Sequence, residues 1–593
     1  MINVMTHIDA IAGITPTEHS MTLADGTELF YRAWLPDEPT RKALVIFHRG
    51  HEHSGRLEDV VRELRLRDVA VFAWDARGHG RSGGPRGYAP SFGRLTRDAD
   101  DYIRHISETH GMRVEDMVVL GHSVGAVTVA AWVHDYAPPV RAMVLVTPAL
   151  RVKLYVPFAR TALRVARFLF RRRPMFVSSY VKGLLLTHDE EQARRYDEDP
   201  LISRKIAVNV LLGLHDTATR LIADAGAINT PALVLAGGSD WVVDLAAERE
   251  FFDRLGTNVK RMRVFDEMHH DILHEKDRRA VLNDIRVFVR GAFARGEIPC
   301  ETDNEAYTRA EYERLDAPLP RYSPKRVWFA AQRALLKTYG RLSNGVRLGW
   351  RAGFDSGSSL DYVYENHARG ALLLGRIIDR FYLNNVAWAA IRQRKANVEK
   401  LLGEAIERVS ETGAPVRILD VATGQGRYVL DTLASFAGRN VTALLRDYSH
   451  ANVEAGRTLA ARLGLKGITF EQADAFDGVS YASFDPRPNI AIVSGLFELF
   501  PANAPVRNCL EGIADAIEED GYLIYTGQPW HPQIEMIARV LTNRDGKPWV
   551  MRRRTQRELD ELVREAGFEK IRTEVGGRGI FTVSIAKRRP DGR

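Results

Sequence analysis

The sequence contains little cysteine and no long uninterrupted hydrophobic segment. Its 593 residues include two cysteines, Cys300 and Cys509, so neither a disulfide framework nor a cysteine-rich metal site can form. No stretch reaches 18 uncharged apolar residues, and no membrane-spanning helix is predicted. The first 20 residues lack both the basic start and the apolar core of a secretory signal. These absences together predict a cytoplasmic location.

A strong excess of charge of one sign is also missing. The chain has 83 Lys and Arg against 76 Asp and Glu, and a net charge of +7 over this length does not indicate nucleic acid binding. Hydrophobic residues make up 45% of the chain and charged residues 27%, which are ordinary values for globular proteins. Disordered, collagen-like and disulfide-rich classes are therefore excluded, and no nucleic acid partner is predicted.

Two long segments repeat the order of apolar strand, glycine turn and helix. Continuous apolar runs are typical of parallel strands that are buried on both faces. In the first segment they occur at 43–48, 69–74, 117–120, 142–147, 232–236 and 260–265, and in the second they begin at residue 416. The pattern predicts two α/β domains with parallel sheets. We predict the first domain at 1–296, a proline-rich charged linker at 297–326, and the second domain at 327–593, which begins with a helical segment at 327–412.

The pentapeptide GHSVG at residues 121–125 carries the first candidate active site. It follows an apolar strand and precedes a helix-like run, and its glycines permit a strained turn that exposes Ser123 at a helix N-terminus. A serine nucleophile needs a base, and the base needs an orienting acid. Asp240 and His270 each follow a late predicted strand, in the order serine, acid, histidine. The alternative is a chance GxSxG sequence on a Rossmann-like sheet.

Three further motifs extend this pattern, namely HRGHEHSGR at 48–56, DARGHGRS at 75–82 and HDILHE at 270–275. They resemble the motifs of monoacylglycerol-lipase-like hydrolases, also known as serine-aminopeptidase-like, and the resemblance covers about residues 15–295. It implies an α/β-hydrolase fold and cleavage of a lipid or lysolipid carboxylic ester. An aminopeptidase-type hydrolase is the alternative activity within the same resemblance.

The resemblance also implies an oxyanion hole and exposes one departure from the family pattern. The backbone N–H groups of Gly50 and Val124 are expected to bind the oxyanion of the tetrahedral intermediate. The family usually has glycine beside the loop histidine, where this sequence has Arg49. An arginine side chain there would either narrow the acyl site or bind a substrate headgroup.

The predicted cap of the hydrolase, at about 150–225, is strongly basic at its start. Between Arg151 and His188 there are nine Lys or Arg and no acidic residue, and the run TALRVARFLFRRRP mixes apolar and basic residues at helical spacing. Basic amphipathic helices are typical of anionic membrane surfaces. We therefore predict peripheral contact with an anionic membrane at its inner face. The alternative is an ordinary cap whose apolar face packs over the substrate pocket.

Histidines cluster around the same motifs, at positions 51, 53, 269, 270 and 274. His270 and His274 even have the i, i+4 spacing of helical metal ligands. Structural and catalytic roles account for all five histidines, so no metal site is predicted.

The segment VRILDVATGQGRY at 416–428 carries the second candidate site. An apolar strand ends in Asp420, and the following turn contains Gly424 and Gly426, which would let a ligand approach the backbone closely. A dinucleotide fingerprint would need a third glycine where Val429 stands, so NAD is disfavoured. No GK[ST] follows, which excludes a phosphate-binding P-loop.

Two acidic positions after the next strands complete this second pattern. Asp447 follows the strand VTALL and is placed to accept hydrogen bonds from ribose hydroxyls, and a further strand leads to Asp474 and Ala475. Together these motifs resemble class I S-adenosylmethionine-dependent methyltransferases over about residues 360–588, with Ala422 in place of a usual glycine. The resemblance implies a Rossmann-like fold and S-adenosylmethionine as cofactor.

In that family the strand-one acid and the glycine loop face the methionine part of the cofactor. The second-strand acid binds the ribose, and the Asp-Ala pair lies beside the adenine. The resemblance transfers these roles to the residues of this sequence, namely Asp420, Gly424, Gly426, Asp447, Asp474 and Ala475. A Rossmann-like domain with another nucleotide, and a domain that binds S-adenosylmethionine without catalysis, are the alternatives.

The methyl acceptor is less defined. No NPPY-type motif follows the fourth strand, so methylation of nucleic acid bases is disfavoured. Glu498 in the run SGLFELF is either a general base or a structural residue. The segment at 355–385 either caps the acceptor site or is only part of the helical segment.

These patterns predict a bifunctional enzyme, a serine hydrolase of lipid esters joined to a methyltransferase with a lipid-related acceptor. The rival is a lipid-ester hydrolase with a module that senses S-adenosylmethionine. The predicted partners are small-molecule or lipid substrates and an anionic membrane surface, and the oligomeric state stays open.

Overall fold

The computed structural model describes residues 15–170, 173–179, 181–295, 304–481 and 484–590. The chain divides into two compact units, Met1–Thr302 and Asp303–Arg593. Each unit has its own hydrophobic core. Among the helices of the described ranges, none has the length and apolar character needed to cross a membrane.

The first unit contains ten strands and eight α-helices within its described residues. The strands are β1 (Thr17–Thr22), β2 (Glu28–Trp34), β3 (Ala43–Phe47), β4 (Ala70–Trp74), β5 (Met117–His122), β6 (Ala142–Val146), β7 (Phe176–Ser178), β8 (Lys205–Ala207), β9 (Ala232–Gly237) and β10 (Lys260–Phe265). The helices are α1 (Glu58–Leu64), α2 (Phe92–His110), α3 (Val124–Tyr136), α4 (Ala159–Leu169), α5 (Glu190–Glu198), α6 (Val208–Ala223), α7 (Leu245–Arg254) and α8 (Arg279–Ala294).

The main sheet of the first unit has eight strands in the order β1-β2-β4-β3-β5-β6-β9-β10. The six strands β4, β3, β5, β6, β9 and β10 run parallel to one another, whereas β1 and β2 run antiparallel to the strands beside them. The six apolar runs of the sequence coincide with the parallel strands, and the central strands are completely buried. This is the α/β-hydrolase arrangement that the motifs implied. The edge strand β1 is half exposed, and no continuous apolar run marked it.

The chain between β6 and β9 forms the cap of the first unit. It contains α4, α5 and α6 and a small antiparallel pair, β7 with β8. Helix α4 has no fully buried residue. Among the described basic residues that begin this segment, Arg151 lies 3.2 Å from Asp244 and Arg164 lies 2.7 Å from Asp216, and Lys153 donates a hydrogen bond to the carbonyl oxygen of Asp240 at 2.6 Å.

The second unit contains seven strands and eleven α-helices within the residues described. The strands are β11 (Val416–Asp420), β12 (Val441–Asp447), β13 (Ile468–Gln472), β14 (Ile490–Val493), β15 (Tyr522–Gly527), β16 (Phe568–Val575) and β17 (Thr582–Arg588). The helices are α9 (Asn304–Asp316), α10 (Pro324–Thr338), α11 (Asn344–Ala352), α12 (Gly357–Glu365), α13 (Leu372–Leu383), α14 (Val386–Glu411), α15 (Arg427–Ser435), α16 (His450–Arg462), α17 (Asn503–Ala516), α18 (Ile534–Val540) and α19 (Gln556–Glu565).

The sheet of the second unit has the order β13-β12-β11-β14-β15-β17-β16. Strands β11 to β15 are parallel to their neighbours, and β17 runs antiparallel to both β15 and β16. The sequence order reverses at β11, which lies between β12 and β14, and in open α/β sheets ligands bind at such a switch point. The parallel sheet predicted from the apolar runs after residue 416 is therefore confirmed.

The predicted linker at 297–326 needs correction over its described part. Residues 304–316 form helix α9, and Thr308 in this helix is buried. Its Oγ1 donates a hydrogen bond to Glu558 at 3.0 Å and accepts one from Arg552 at 2.8 Å. Glu311 of the same helix pairs with Arg553, so polar and charged side chains of the predicted linker bond inside the second unit. Residues 296–303 lie outside the described ranges.

Candidate active sites

Ser123 occupies a strained turn between β5 and α3. Its φ of 55° and ψ of −109° lie in a region that non-glycine residues rarely adopt. Two glycines make the turn sterically feasible: a Cβ on Gly121 would lie 2.5 Å from the Cα of Ala126, and one on Gly125 would lie 2.3 Å from the carbonyl oxygen of Phe47. The GxSxG spacing is thus explained by backbone crowding on both sides of the serine.

The structure brings together the three predicted triad residues at the carboxyl ends of the strands. His270 Nε2 lies 2.8 Å from Ser123 Oγ, and His270 Nδ1 lies 2.7 Å from Asp240 Oδ2. The other Asp240 oxygen accepts hydrogen bonds from the backbone N–H groups of Val242 and Val243. Burial would raise the pKa of Asp240, but His270 and these N–H groups hold it below its ordinary value. Asp240 is therefore ionised and fixes the orientation of the imidazole.

The predicted oxyanion donors lie next to each other. A Cβ on Gly50 would lie 3.0 Å from Cγ2 of Val124, so the loop after β3 touches the first residue of α3. Among the described residues, neither the Gly50 N–H nor the Val124 N–H donates a hydrogen bond to a protein acceptor. Two free N–H groups beside a serine nucleophile match the arrangement that stabilises a tetrahedral oxyanion.

Arg49 is buried and forms ion pairs under the oxyanion loop. Its Nε lies 2.6 Å from Glu52 Oε2 and 3.3 Å from Asp271 Oδ2, and its guanidinium group lies 4.6 Å from the centre of the Tyr196 ring. With only 3% of the side chain exposed, it is committed to these partners. Both predicted roles for Arg49, narrowing the acyl site and binding a headgroup, are therefore replaced by a role in fixing the loop.

Two groups of side chains near the triad have the composition of a metal site. The first, Glu52 with Asp271 and His274, is neutralised by the buried arginines beside it. The second is His188 with His269 and Glu275. In that group Glu275 already accepts hydrogen bonds from the His188 ring and from two backbone N–H groups. Protein contacts thus account for both groups, and we assign no metal to either.

In the second unit the glycine turn after β11 lines a cavity of about 530 Å³, called here the donor cavity. Gly424 and Gly426 have φ values of 60° and 73°, and a Cβ on Gly424 would meet only the Cα of Gly357, at 3.9 Å. The backbone is therefore open for close approach by a ligand. Asp447 lies at the end of β12 and lines the same cavity, and its Oδ2 accepts a hydrogen bond from the Gly424 N–H at 2.8 Å.

Five of the six predicted cofactor residues line the donor cavity, namely Gly424, Gly426, Asp447, Asp474 and Ala475. Asp420 does not line it. This carboxyl group is completely buried, where it accepts a hydrogen bond from the Tyr428 hydroxyl at 2.6 Å, and burial raises its pKa to about 7. The predicted contact of Asp420 with the methionine part is therefore wrong. Asp420 instead bonds to Tyr428, the second residue of the helix that follows the glycine turn.

The residues around this cavity fit S-adenosylmethionine. The glycine loop offers open backbone, Asp447 offers a carboxylate for ribose hydroxyls, and the aromatic rings of Tyr448 and Phe476 line the wall. Sequence reasoning missed these two aromatic residues. Their positions immediately after Asp447 and Ala475 were the available signal.

A second cavity, of about 270 Å³ and lined mainly by apolar side chains, adjoins the donor cavity and is called here the apolar cavity. Six residues line both: Asp355, Leu360, Arg394, Gly495, Leu499 and Trp549. The segment at 355–385 contributes to both cavities. Glu498 lines the apolar cavity with its Oε1 3.2 Å from Nη1 of the buried Arg394, which favours the structural interpretation of this residue.

Comparison with known proteins agrees with this division. The sequence matches the family described as "Putative methyltransferase" over residues 285–588 and the family described as "Serine aminopeptidase, S33" over residues 38–277. It is 47% identical to the uncharacterized protein YnbC of Escherichia coli (strain K12), over 97% of this chain and 99% of that protein.

Relatives that match less than half of this chain include proteins named as lipases. The monoacylglycerol lipase of Mycolicibacterium smegmatis is 27% identical over 46% of this chain and 97% of its own length. The crystal structure of Paleococcus ferrophilus monoacylglycerol lipase is 25% identical, covers 44% of this chain and 99% of its own, and gives a TM-score of 0.41. The two family matches and the lipase relative confirm the resemblance of the first unit to monoacylglycerol-lipase-like hydrolases and that of the second unit to a methyltransferase.

Proposed function

We propose two enzymatic activities for this chain, which belongs to the "Putative methyltransferase" family and carries a hydrolase domain homologous to monoglyceride lipases. The first unit hydrolyses a carboxylic ester of a lipid or lysolipid. The second transfers a methyl group from S-adenosylmethionine to a lipid-related acceptor. The triad distances of 2.8 and 2.7 Å carry the first proposal, and the donor cavity carries the second.

The proposed hydrolysis follows from the geometry of the triad. His270 Nε2 takes the proton of Ser123 as the serine oxygen attacks the ester carbonyl, while Asp240 stabilises the imidazolium. The N–H groups of Gly50 and Val124 bind the oxyanion. His270 then protonates the leaving alcohol, and a water molecule activated in the same way releases the carboxylic acid.

A comparison of substrates tests this activity against the aminopeptidase alternative. The full chain is assayed with p-nitrophenyl esters of increasing acyl length, with monoacylglycerol, and with aminoacyl p-nitroanilides. We expect turnover of the esters and of monoacylglycerol, and none of the anilides. Turnover of the anilides alone would contradict the lipase proposal and would support an aminopeptidase activity.

For the second activity, Asp447 binds the ribose, and Asp474, Ala475 and Phe476 surround the adenine. Bound S-adenosylmethionine supplies an electrophilic methyl group. The protein contributes mainly by holding the acceptor in line with that group and by excluding water.

Calorimetry and a transfer assay separate a methyltransferase from a sensor. The full chain is titrated with S-adenosylmethionine and then incubated with the methyl-labelled compound and a cell lipid extract. Binding with transfer of label supports the proposal. Binding without any transfer supports the sensing module, and absence of binding removes both.

We also propose that the cap contacts an anionic membrane. Large apolar side chains on and beside α4 are exposed, and the strongest examples are Phe158 at 85%, Leu169 at 67% and Phe168 at 62%. Arg160 and Arg167 on the same helix are exposed as well. An exposed apolar face flanked by arginines is the composition that favours the interface of anionic bilayers.

Vesicle flotation tests this contact with the full chain. We expect co-flotation with vesicles that contain phosphatidylglycerol and little with phosphatidylcholine alone. The double substitution Phe168→Ser and Leu169→Ser should abolish co-flotation, whereas Val287→Ser, at an exposed apolar position of α8, should not. Equal partition to neutral and anionic vesicles would contradict the proposal.

A further inference from the structure

The apolar cavity has N–H groups that lack acceptors where it joins the donor cavity. Arg394 Nε and Trp549 Nε1 are buried, and among the residues described neither has a hydrogen-bond partner. Both residues line the two cavities together. Buried N–H groups without acceptors are unfavourable, and a ligand oxygen at the junction would relieve this cost.

His531 supplies a third donor to the apolar cavity. Its Nδ1 accepts a hydrogen bond from the Gln533 backbone N–H at 3.0 Å, and burial lowers the pKa of the imidazole to about 4. The ring is therefore neutral at physiological pH and carries its proton on Nε2. In this tautomer His531 donates a hydrogen bond and is not available as a base at Nε2.

Most of the remaining wall is apolar, although Glu498, Gln528 and Gln533 also line the cavity, and an apolar path leads from it to the surface along α13. Phe381 lines the cavity although 74% of it is exposed, and Ile377 and Leu374, one and two turns earlier, are 44% and 55% exposed. The spacing i, i+3, i+7 places these side chains on one face of the helix. A ligand with a long apolar chain would cover this face and fill the cavity.

We propose that the methyl acceptor of the second unit is the carboxylate of a long-chain apolar acid, held at the junction by Arg394 and Trp549, with His531 in the wall of the apolar cavity as a further donor. The chain of the acid lies in the apolar cavity and along α13. This inference rests on the proposed methyltransferase activity and names its substrate class.

The reaction balances without a base. A carboxylate oxygen supplies the electron pair of the new C–O bond, the bond between the methyl carbon and the sulfonium sulfur breaks, and its electron pair stays on sulfur. The negative charge of the carboxylate and the positive charge of the sulfonium cancel, and no proton is released. A methyl ester and a neutral thioether result.

The chemical rival is a hydroxyl acceptor, which would need a base at the junction to remove its proton. Asp355 lines both cavities, its Oδ1 is buried without a hydrogen-bond partner in the described chain, and burial raises its pKa. The two N–H donors at the junction and the His531 N–H in the apolar cavity favour the carboxylate, and the transfer assay separates the two acceptors.

Binding is tested first, without a methyl donor. Hexadecanoic acid is titrated by calorimetry into the full chain with Ser123→Ala and into the same chain with Ile378→Trp, since Ile378 lines the apolar cavity. Arg376→Trp, at an exposed position of α13 outside the face formed by Leu374, Ile377 and Phe381, is the matched control. We expect Ile378→Trp to weaken binding about tenfold or more and Arg376→Trp to leave it unchanged. Equal binding by all three chains would overturn the assignment.

Transfer is tested next in the Ser123→Ala chain, so that the first unit cannot cleave the product ester. Methyl-labelled S-adenosylmethionine is supplied with hexadecanoic acid, hexadecan-1-ol or acetate. We expect label in methyl hexadecanoate and about tenfold less with either of the others. Formation of a labelled methyl ether from hexadecan-1-ol that is lost in Asp355→Asn would overturn the proposal. Labelling of acetate to the same extent as hexadecanoic acid would overturn it as well.

His531 is tested through KM. His531→Ala should raise the KM for hexadecanoic acid about tenfold with a smaller effect on kcat, and His531→Gln, which keeps an N–H donor, should restore part of the loss. Failure of the whole proposed function is distinguishable, because it would abolish labelling of the lipid extract, whether or not S-adenosylmethionine still binds. Labelling of the extract with no label in hexadecanoic acid would overturn the acceptor class alone.

Discussion

The Arg49 Nε atom lies 3.3 Å from Asp271 Oδ2, so the loop after β3, which carries the proposed oxyanion donor Gly50, is ion-paired to the residue that follows the proposed base His270. Both side chains are almost completely buried, and Glu52 shares the same guanidinium group. The loop that carries one oxyanion donor and the loop that carries the base are thus held together by opposite charges. An arginine where related hydrolases usually have glycine acquires a positioning role.

Removal of Arg49 should destabilise the first unit. Arg49→Ala leaves the carboxylates of Glu52 and Asp271 buried with less compensation, and we expect the free energy of unfolding to fall by about 3–5 kcal/mol. Denaturant unfolding followed by circular dichroism measures the loss. Arg62→Ala, at an exposed ion pair on α1, should cost less than about 1 kcal/mol. Equal effects of the two substitutions would contradict the network.

Ser123→Ala should reduce ester hydrolysis by about 10⁴-fold or more, because the nucleophile of the triad is lost. The rate is measured with p-nitrophenyl esters under saturating conditions. Ser20→Ala, on the exposed part of β1, is the control and should retain full activity. Retained turnover in Ser123→Ala would remove the site assignment.

Glu248 should make the first unit less stable as pH rises. It is completely buried on α7, and burial, with Asp240 and Asp244 nearby, raises its pKa. The folded state thus binds the proton more tightly than the unfolded state, and stability is lost as pH rises above about 4.5 towards the folded pKa.

Glu248→Gln removes this titration and should raise Tm by at least about 2 °C at pH 8. The gain over the unsubstituted chain should shrink as pH approaches 4. Thermal unfolding between pH 4 and pH 8 measures it, and Glu250→Gln, exposed on the same helix, is the control. A difference in Tm independent of pH would show that Glu248 does not titrate as described.

Asp447→Ala should weaken S-adenosylmethionine binding in the full chain. Loss of hydrogen bonds from ribose hydroxyls to a charged carboxylate costs about 1.5–3 kcal/mol, which is roughly a 10- to 150-fold rise in Kd. Calorimetry measures the change. Asp520→Ala, at an exposed ion pair with Lys587, should bind as the unsubstituted chain does. Unchanged affinity in Asp447→Ala would indicate that the ribose binds in another part of the donor cavity.

The sequence by itself determined the features that are encoded locally. Buried parallel strands appear as continuous apolar runs, and the turns at Ser123 and Gly424 require glycines at fixed spacing because a Cβ would collide with backbone or block a ligand. The order of Ser123, Asp240 and His270 after successive strands placed them at one edge of the sheet, since parallel strands end at the same side.

Only the tertiary structure decided which partners the buried polar groups found. Arg49 pairs with Asp271, 222 positions later in the chain, and Thr308, in the predicted linker, bonds to Glu558. Asp420 bonds to Tyr428 and does not line the donor cavity, and His531 lines the apolar cavity. These outcomes depend on contacts between residues far apart in the sequence, and no local pattern specifies where a buried charge or hydrogen bond is satisfied.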